Sequence, residues 1–255
     1  MNKQNRLSPL KSRRDYTAEI SFIEQKIPKR IQVNTFPLYS GEVEANLSTK
    51  GYKVRAITNK FVVNEFWQTL SKNPQQLQKF ITFFSRKPVE EIGFFLQKEW
   101  FKSRDPLIRS ALFYILQNSS TECLASKGEI KPFNIETTNL LRRWNSSLFT
   151  VDFLDINDES IVKELPTSDG MFYLDGARVT NEFLEDSSCG IDETNISNKE
   201  ILSFMFTNYE PWMCSFSPSQ ALLDHVSNKA NIYFLNHAGE QVEKTQAFRC
   251  IVTNV

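Results

Sequence analysis

The chain has 255 residues, of which 40% are hydrophobic and 24% charged, enough to bury a full α/β core and still carry an inserted subdomain. Thirty basic residues balance thirty acidic ones, which excludes a binder that holds a polyanion through net charge and leaves only local patches or a partner for any nucleic-acid contact. Cys123, Cys189, Cys214 and Cys250 are far apart, with no Cys-x-x-Cys and no histidine at ligand spacing, so no metal site is expected and free thiols in a reducing compartment are. His225 and His237 have no triad context. No apolar run is long enough to span a bilayer and the N-terminus lacks the apolar core of a secretion signal, which predicts a soluble, cytoplasmic chain with no membrane partner.

Lys3, Arg6, Lys11, Arg13 and Arg14 all precede the first acid, Asp15, and predict a flexible basic arm over residues 1–30. Within it Ile20, Phe22, Ile23 and Ile27 form a weak amphipathic pattern that fits a short helix or an extended segment. Residues 31–36 alternate apolar and polar as a strand does, 37–41 break the run, and 42–47 resume with helical composition. Residues 53–57 read as a second strand and 64–72 as a second helix, a βαβα start that predicts a parallel sheet with helices on its faces.

From 73 to 144 the pattern is helical and rich in phenylalanine. Three helices are predicted, separated by Arg86-Lys87-Pro88 and Ser103-Arg104-Asp105-Pro106, with Pro106 in the first turn of the third. Their aromatic stripes, including Phe83, Phe94 and Phe95, read as core. A polar segment over 118–134 and a helix over 137–144 follow, and the sheet resumes at 149–153. A helix over 197–208 leads to a strand at 212–216. The chain closes with an antiparallel pair, 232–235 and 248–252, at one side of the sheet.

The stretch Phe172-Tyr173-Leu174-Asp175-Gly176-Ala177-Arg178 stands out. Three apolar residues running into Asp and Gly predict a buried strand that ends in a tight turn, at the sheet edge where α/β proteins bind ligands. A core strand followed by an ordinary turn is the plain alternative.

Four further stretches carry a family resemblance: Ser103-Arg104-Asp105-Pro106-Leu107-Ile108-Arg109-Ser110-Ala111-Leu112-Phe113, Lys127-Gly128-Glu129-Ile130-Lys131-Pro132-Phe133-Asn134, residues 212–216, and Cys250-Ile251-Val252-Thr253-Asn254. In this order, over residues 31–255, the chain resembles the Dam-like adenine-specific DNA methyltransferases. Those enzymes have a glycine-rich loop after the first strand, a helical target-recognition insertion and an Asp-Pro-Pro-Tyr strand end. The resemblance implies a three-layer, methyltransferase-like (Rossmann-like) α/β fold with a mostly parallel sheet. Residues 31–72 and 145–255 would form its core, and 73–144 the insertion. Tyr39 and Asp175 should then line one crevice.

Set against the family, the chain departs at each working motif. Where two glycines let backbone N–H groups approach S-adenosylmethionine, it has Tyr39-Ser40-Gly41. Where an acid receives the ribose hydroxyls, it has Thr58-Asn59. Asp175 remains, but Gly176-Ala177-Arg178 replaces Pro-Pro-Tyr, loosening the backbone and placing a cation where an aromatic face would stack on the flipped adenine. Tyr39, Ser40, Gly41, Thr58 and Asn59 are thus degenerate cofactor positions, and Asp175 is a catalytic remnant. The expectation is a non-catalytic binding or assembly subunit that takes no S-adenosylmethionine and works with a protein partner or a second copy of itself. An active enzyme with diverged motifs, and a structural component of a virus or phage particle, remain open. Candidate phosphate contacts are Arg13 and Arg14 in the arm, and Arg86, Lys87, Lys102, Arg104, Arg142 and Arg143 in the insertion.

Overall fold

Seven strands form one sheet in the computed structural model, which describes residues 7–158, 160–165, 170–176, 191–208, 210–226 and 229–255. They are β1 (Val33–Phe36), β2 (Val54–Thr58), β3 (Thr150–Phe153), β4 (Met171–Leu174), β5 (Trp212–Phe216), β6 (Asn231–Leu235) and β7 (Arg249–Thr253), in the order β3-β2-β1-β4-β5-β7-β6. Strands β1 to β5 run parallel, and β7 enters antiparallel between β5 and β6.

The sheet is covered on both sides, and the period-2 alternation of its strands decides which side chain joins which layer. On one face Val33, Val54, Met171, Tyr173, Met213 and Ile251 pack with helices α1 (Thr17–Lys26), α2 (Glu42–Thr49) and α3 (Phe61–Lys72). On the other, Phe172, Leu174, Trp212, Cys214, Cys250 and Val252 pack with three helices placed later in the chain, the short α8 (Ile161–Glu164), α9 (Asn198–Thr207) and α10 (Gln220–Val226). Every residue of β4, β5 and β7 is buried, as central strands require, whereas the edge strands β3 and β6 are largely half-exposed. The result is the three-layer α/β fold expected from the sequence.

Between α3 and β3 lie α4 (Pro74–Phe84), α5 (Val89–Glu99), α6 (Pro106–Ser119) and the single-turn α7 (Asn139–Arg142). The Asp105 carboxylate caps α6 by accepting from the Leu107 N–H at 2.8 Å, and Pro106 occupies the first turn where no N–H is needed. Ser197 and Glu200 close α9 with a reciprocal capping box. The phenylalanines of the insertion divide. Phe113 is buried, but Phe83, Phe94 and Phe95 are exposed rather than in the core.

Residues 7–16, expected to belong to a flexible arm, are instead packed along α6 and the loop after β1. Ser8 and Leu10 have no exposed surface, the Ser8 hydroxyl donates to the Ser40 carbonyl, and the Lys11 N–H donates to Gln117 Oε1 at 3.2 Å. The amphipathic stretch that follows is α1. Ala177, Arg178 and Cys189 lie outside the described residues.

Candidate functional site

The strand order reverses between β1 and β4: the chain leaves β1 toward β2 on one side, and β4 leads to β5 on the other. In open α/β sheets such a reversal opens a crevice outside the carboxyl ends of the two strands, where ligands bind. Tyr39 and Asp175, from the loops after β1 and β4, both line it. Yet the crevice encloses only about 10 Å³, room for about one water molecule.

The N-terminal segment fills it. Arg14 Nη1 lies 2.6 Å from Asp175 Oδ1, and the Tyr16 hydroxyl donates to Asp175 Oδ2 at 2.9 Å, so both carboxylate oxygens are engaged. The pair is largely buried, with side chains 16% and 6% exposed for Arg14 and Asp175. Burial works to lower the Arg14 pKa, but the net shift is upward because Asp175, with Tyr16, Tyr173 and Glu19, stabilises the cation. Burial, with Asp175 and Glu19 nearby, likewise holds the Tyr173 hydroxyl well above its ordinary value. From the α2 side Glu44 points a buried carboxylate into the same crevice and accepts from the Thr35 hydroxyl at 2.6 Å. The first turn of α2, which would otherwise favour a ligand anion, already carries the chain's own acid.

Next to Asp175, α1 is fixed by a second buried pair. Arg249 Nε donates to Glu19 Oε1 at 2.9 Å, and the Ser215 hydroxyl donates to the same oxygen at 2.8 Å. Glu19 has no exposed surface, and its Oε2 has no hydrogen-bond partner among the described residues. Burial raises the Glu19 pKa above the ordinary 4.5, against the lowering pull of Arg249. Two arginine–carboxylate pairs therefore tie the N-terminal segment and α1 to β4, β5 and β7 at the carboxyl edge of the sheet.

Each position expected to be a degenerate cofactor contact has a structural occupation. The Tyr39 hydroxyl donates to Asp192 Oδ2 at 2.5 Å, which also accepts from the Ala125 N–H at 2.7 Å, while the Tyr39 carbonyl accepts from the Trp67 indole at 3.0 Å. Gly41, at φ 70°, is the N-cap of α2, and a Cβ there would lie 2.5 Å from the Trp67 ring. Thr58 is buried, and its hydroxyl accepts from the Lys60 N–H at 3.2 Å. The Asn59 amide donates to Ile156 O and Asp158 Oδ1 and accepts from Thr194 at 2.8 Å, so it joins three loops. Gly176 belongs where it is because a Cβ would come within 2.1 Å of the Phe216 ring; a proline would collide there.

A neighbouring cavity of about 170 Å³, bordered by Arg14, Leu38, Tyr39, Lys60, Asp192 and Thr194, is smaller than the roughly 300 Å³ at which small-molecule sites begin. Its cations are spoken for: Lys60 pairs with Asp158 at 2.9 Å, and Arg14 with Asp175. Burial pushes the Cys214 thiol well above its ordinary value and the Cys250 thiol up to about 12, so neither is a ready nucleophile. Among the described residues no group of three or more His, Cys, Asp or Glu is placed to hold a metal, and no helix is long and apolar enough to cross a membrane.

The candidate phosphate contacts separate. Arg13 pairs with Glu122 at the surface and Arg14 with Asp175 in the interior, so Arg14 is committed internally. Lys102 pairs with Glu99 at 2.8 Å. Arg86 and Arg142, 56 residues apart in sequence, come together in an open groove of about 790 Å³. Lys79, Gln75, Gln78 and Phe83 complete it, giving three cations and no carboxylate among its described lining residues. Lys87, Arg104 and Arg143 are exposed outside that lining.

Sequence reasoning missed Tyr16, Glu19, Lys79, Asp192 and Arg249. Two left a signal: Glu19 lies three and four residues before Phe22 and Ile23, an acid on an apolar helix face, and Arg249 is a charge inside the apolar run 248–252. Asp192 left none. Neither the protein-family models nor the curated proteins give any match to this chain.

Proposed function

We propose that this protein is a non-catalytic relative of the adenine-specific DNA methyltransferases that works as a binding or assembly subunit and meets nucleic acid through the basic groove of its helical insertion. The observation that carries this reading is the closure of the switch-point crevice by Arg14 and Tyr16 on Asp175. In the enzymes the chain resembles, that carboxylate accepts from the amino group of the target adenine. Here both of its oxygens are committed, the space is about 10 Å³, and a sulfonium cofactor brought to Asp175 would meet the Arg14 guanidinium. The cation opposes both the cofactor's charge and the charge that develops on an attacking nitrogen. Incubation with labelled S-adenosylmethionine and duplex DNA should incorporate no methyl groups; incorporation that disappears on Asp175→Ala would overturn the reading.

The groove supports the binding half of the proposal. Lys79, Arg86 and Arg142 offer three phosphate contacts, the glutamines can hydrogen-bond to the backbone, and Phe83 offers a ring face beside them. Counterion release by three such contacts predicts that affinity for a duplex falls about 40-fold between about 50 and 200 mM salt, with little dependence on sequence. Fluorescence anisotropy should show this slope, reduced by about 0.9 in Arg86→Ala. No binding at the lower salt concentration would leave only the assembly role.

A further inference from the structure

Helix α5 is built inside out. Its inward face consists of Val89 and Gly93, with Leu96 and Gln97 half-buried; Gly93 lies so close to Ile130 that a Cβ would come within 2.7 Å of it, and Gln97 donates to the Gly128 carbonyl at 3.1 Å. The outward face carries the larger apolar groups, Phe94 at 73% and Phe95 at 65% exposure with Ile92 beside them. An apolar face that exceeds the buried face of the same helix marks an interaction surface. The charges on this face say what covers it. Glu90 and Glu91 are exposed at its N-terminal end and Lys98 at its C-terminal end, with the ammonium 4.2 Å from the Phe94 ring centroid. Glu99 is half-buried and paired with Lys102.

About the point between residues 94 and 95, Phe94 mirrors Phe95 and Glu91 mirrors the oppositely charged Lys98. We infer that α5 pairs antiparallel with α5 of a second copy of the chain, forming a two-fold dimer in which Phe94 meets the partner's Phe95 and Glu91 meets the partner's Lys98. A two-fold axis through that midpoint generates the ion pair and the aromatic contact twice each, the self-complementary arrangement an isologous interface requires. It also sets the two helix dipoles against each other favourably. A parallel pairing would set Glu91 beside the partner's Glu91 and Lys98 beside the partner's Lys98.

Light scattering coupled to size exclusion tests this on the full chain. The wild type is expected to be a dimer at micromolar concentration, and Phe94→Asp/Phe95→Asp a monomer that still melts cooperatively, since both side chains are exposed. Glu91→Lys and Lys98→Glu should each weaken the homodimer about tenfold. The double swap Glu91→Lys/Lys98→Glu should restore it, as should mixing the two single variants, because in both cases position 91 again faces a charge of opposite sign at position 98. A wild type that stays monomeric at about a hundred micromolar, a dimer that survives Phe94→Asp/Phe95→Asp, or charge swaps without effect would each overturn the inference.

Discussion

Arg14→Met is expected to lower the unfolding free energy by about 3–5 kcal/mol, a fall of roughly 6–20 °C in melting temperature for a domain of this size. The loss of the ion pair itself is the smaller part. Asp175 would be left buried with Tyr16 as its only remaining side-chain donor among the described residues, and an uncompensated buried carboxylate costs far more than the pair contributes in place. Asp175→Asn leaves the guanidinium without its anion and should be costly too. The double variant Arg14→Met/Asp175→Asn should therefore cost less than the sum of the singles, by about 0.5–3 kcal/mol of coupling. Urea denaturation of the four proteins measures this. A cost for Arg14→Met within about 0.5 kcal/mol of zero would mean that the pair is solvated and the crevice open.

The second large effect is expected at Arg249→Met. Glu19 depends on Arg249 and Ser215 through a single oxygen, so removing the guanidinium should again cost about 3–5 kcal/mol. This loss should depend on pH, with a definite sign. The folded state raises the Glu19 pKa above 4.5, so it retains the proton to higher pH than the unfolded chain does. Stability from this group is therefore present below about pH 4.5 and lost as pH rises through the folded value. Arg249 is the contact that pulls that value down; without it the folded pKa climbs further and the loss continues to higher pH. The deficit of Arg249→Met relative to wild type should thus grow between about pH 4.5 and 8. A deficit independent of pH would mean that Arg249 does not hold down the folded-state pKa of Glu19.

The parts of the fold legible in the sequence are those set by local pattern. The apolar run up to Leu174 reads as a buried strand, and Asp105 with Pro106 fixes the start of a helix within two residues. Placing Tyr39 and Asp175 in one crevice followed from the general rule for parallel sheets. The contents of the crevice could not be read, because they depend on partners remote in sequence: Arg14 and Asp175 are separated by 161 positions, and Glu19 and Arg249 by 230. A segment rich in Lys and Arg reads as solvated until its acid is found. Gly176 looked like a loosened proline until Phe216 supplied the reason for it, and Asn59 looked like a weakened ribose ligand until Asp158 and Thr194 showed it joining loops. The outward phenylalanines of α5 have the same composition as core ones; only the placement of Gly93 against Ile130 turns them toward solvent.

Calorimetric titration of the wild-type protein with S-adenosylmethionine tests the closed crevice most directly. A ligand that binds the native state at a hundred times its Kd would add about 2.7 kcal/mol of stability, so a parallel thermal melt gives an independent reading. The closed crevice predicts no binding heat and no shift in melting temperature up to about millimolar ligand. Saturable binding with a matching rise in melting temperature would contradict it, and would mean that Arg14 and Tyr16 leave Asp175 whenever the cofactor arrives.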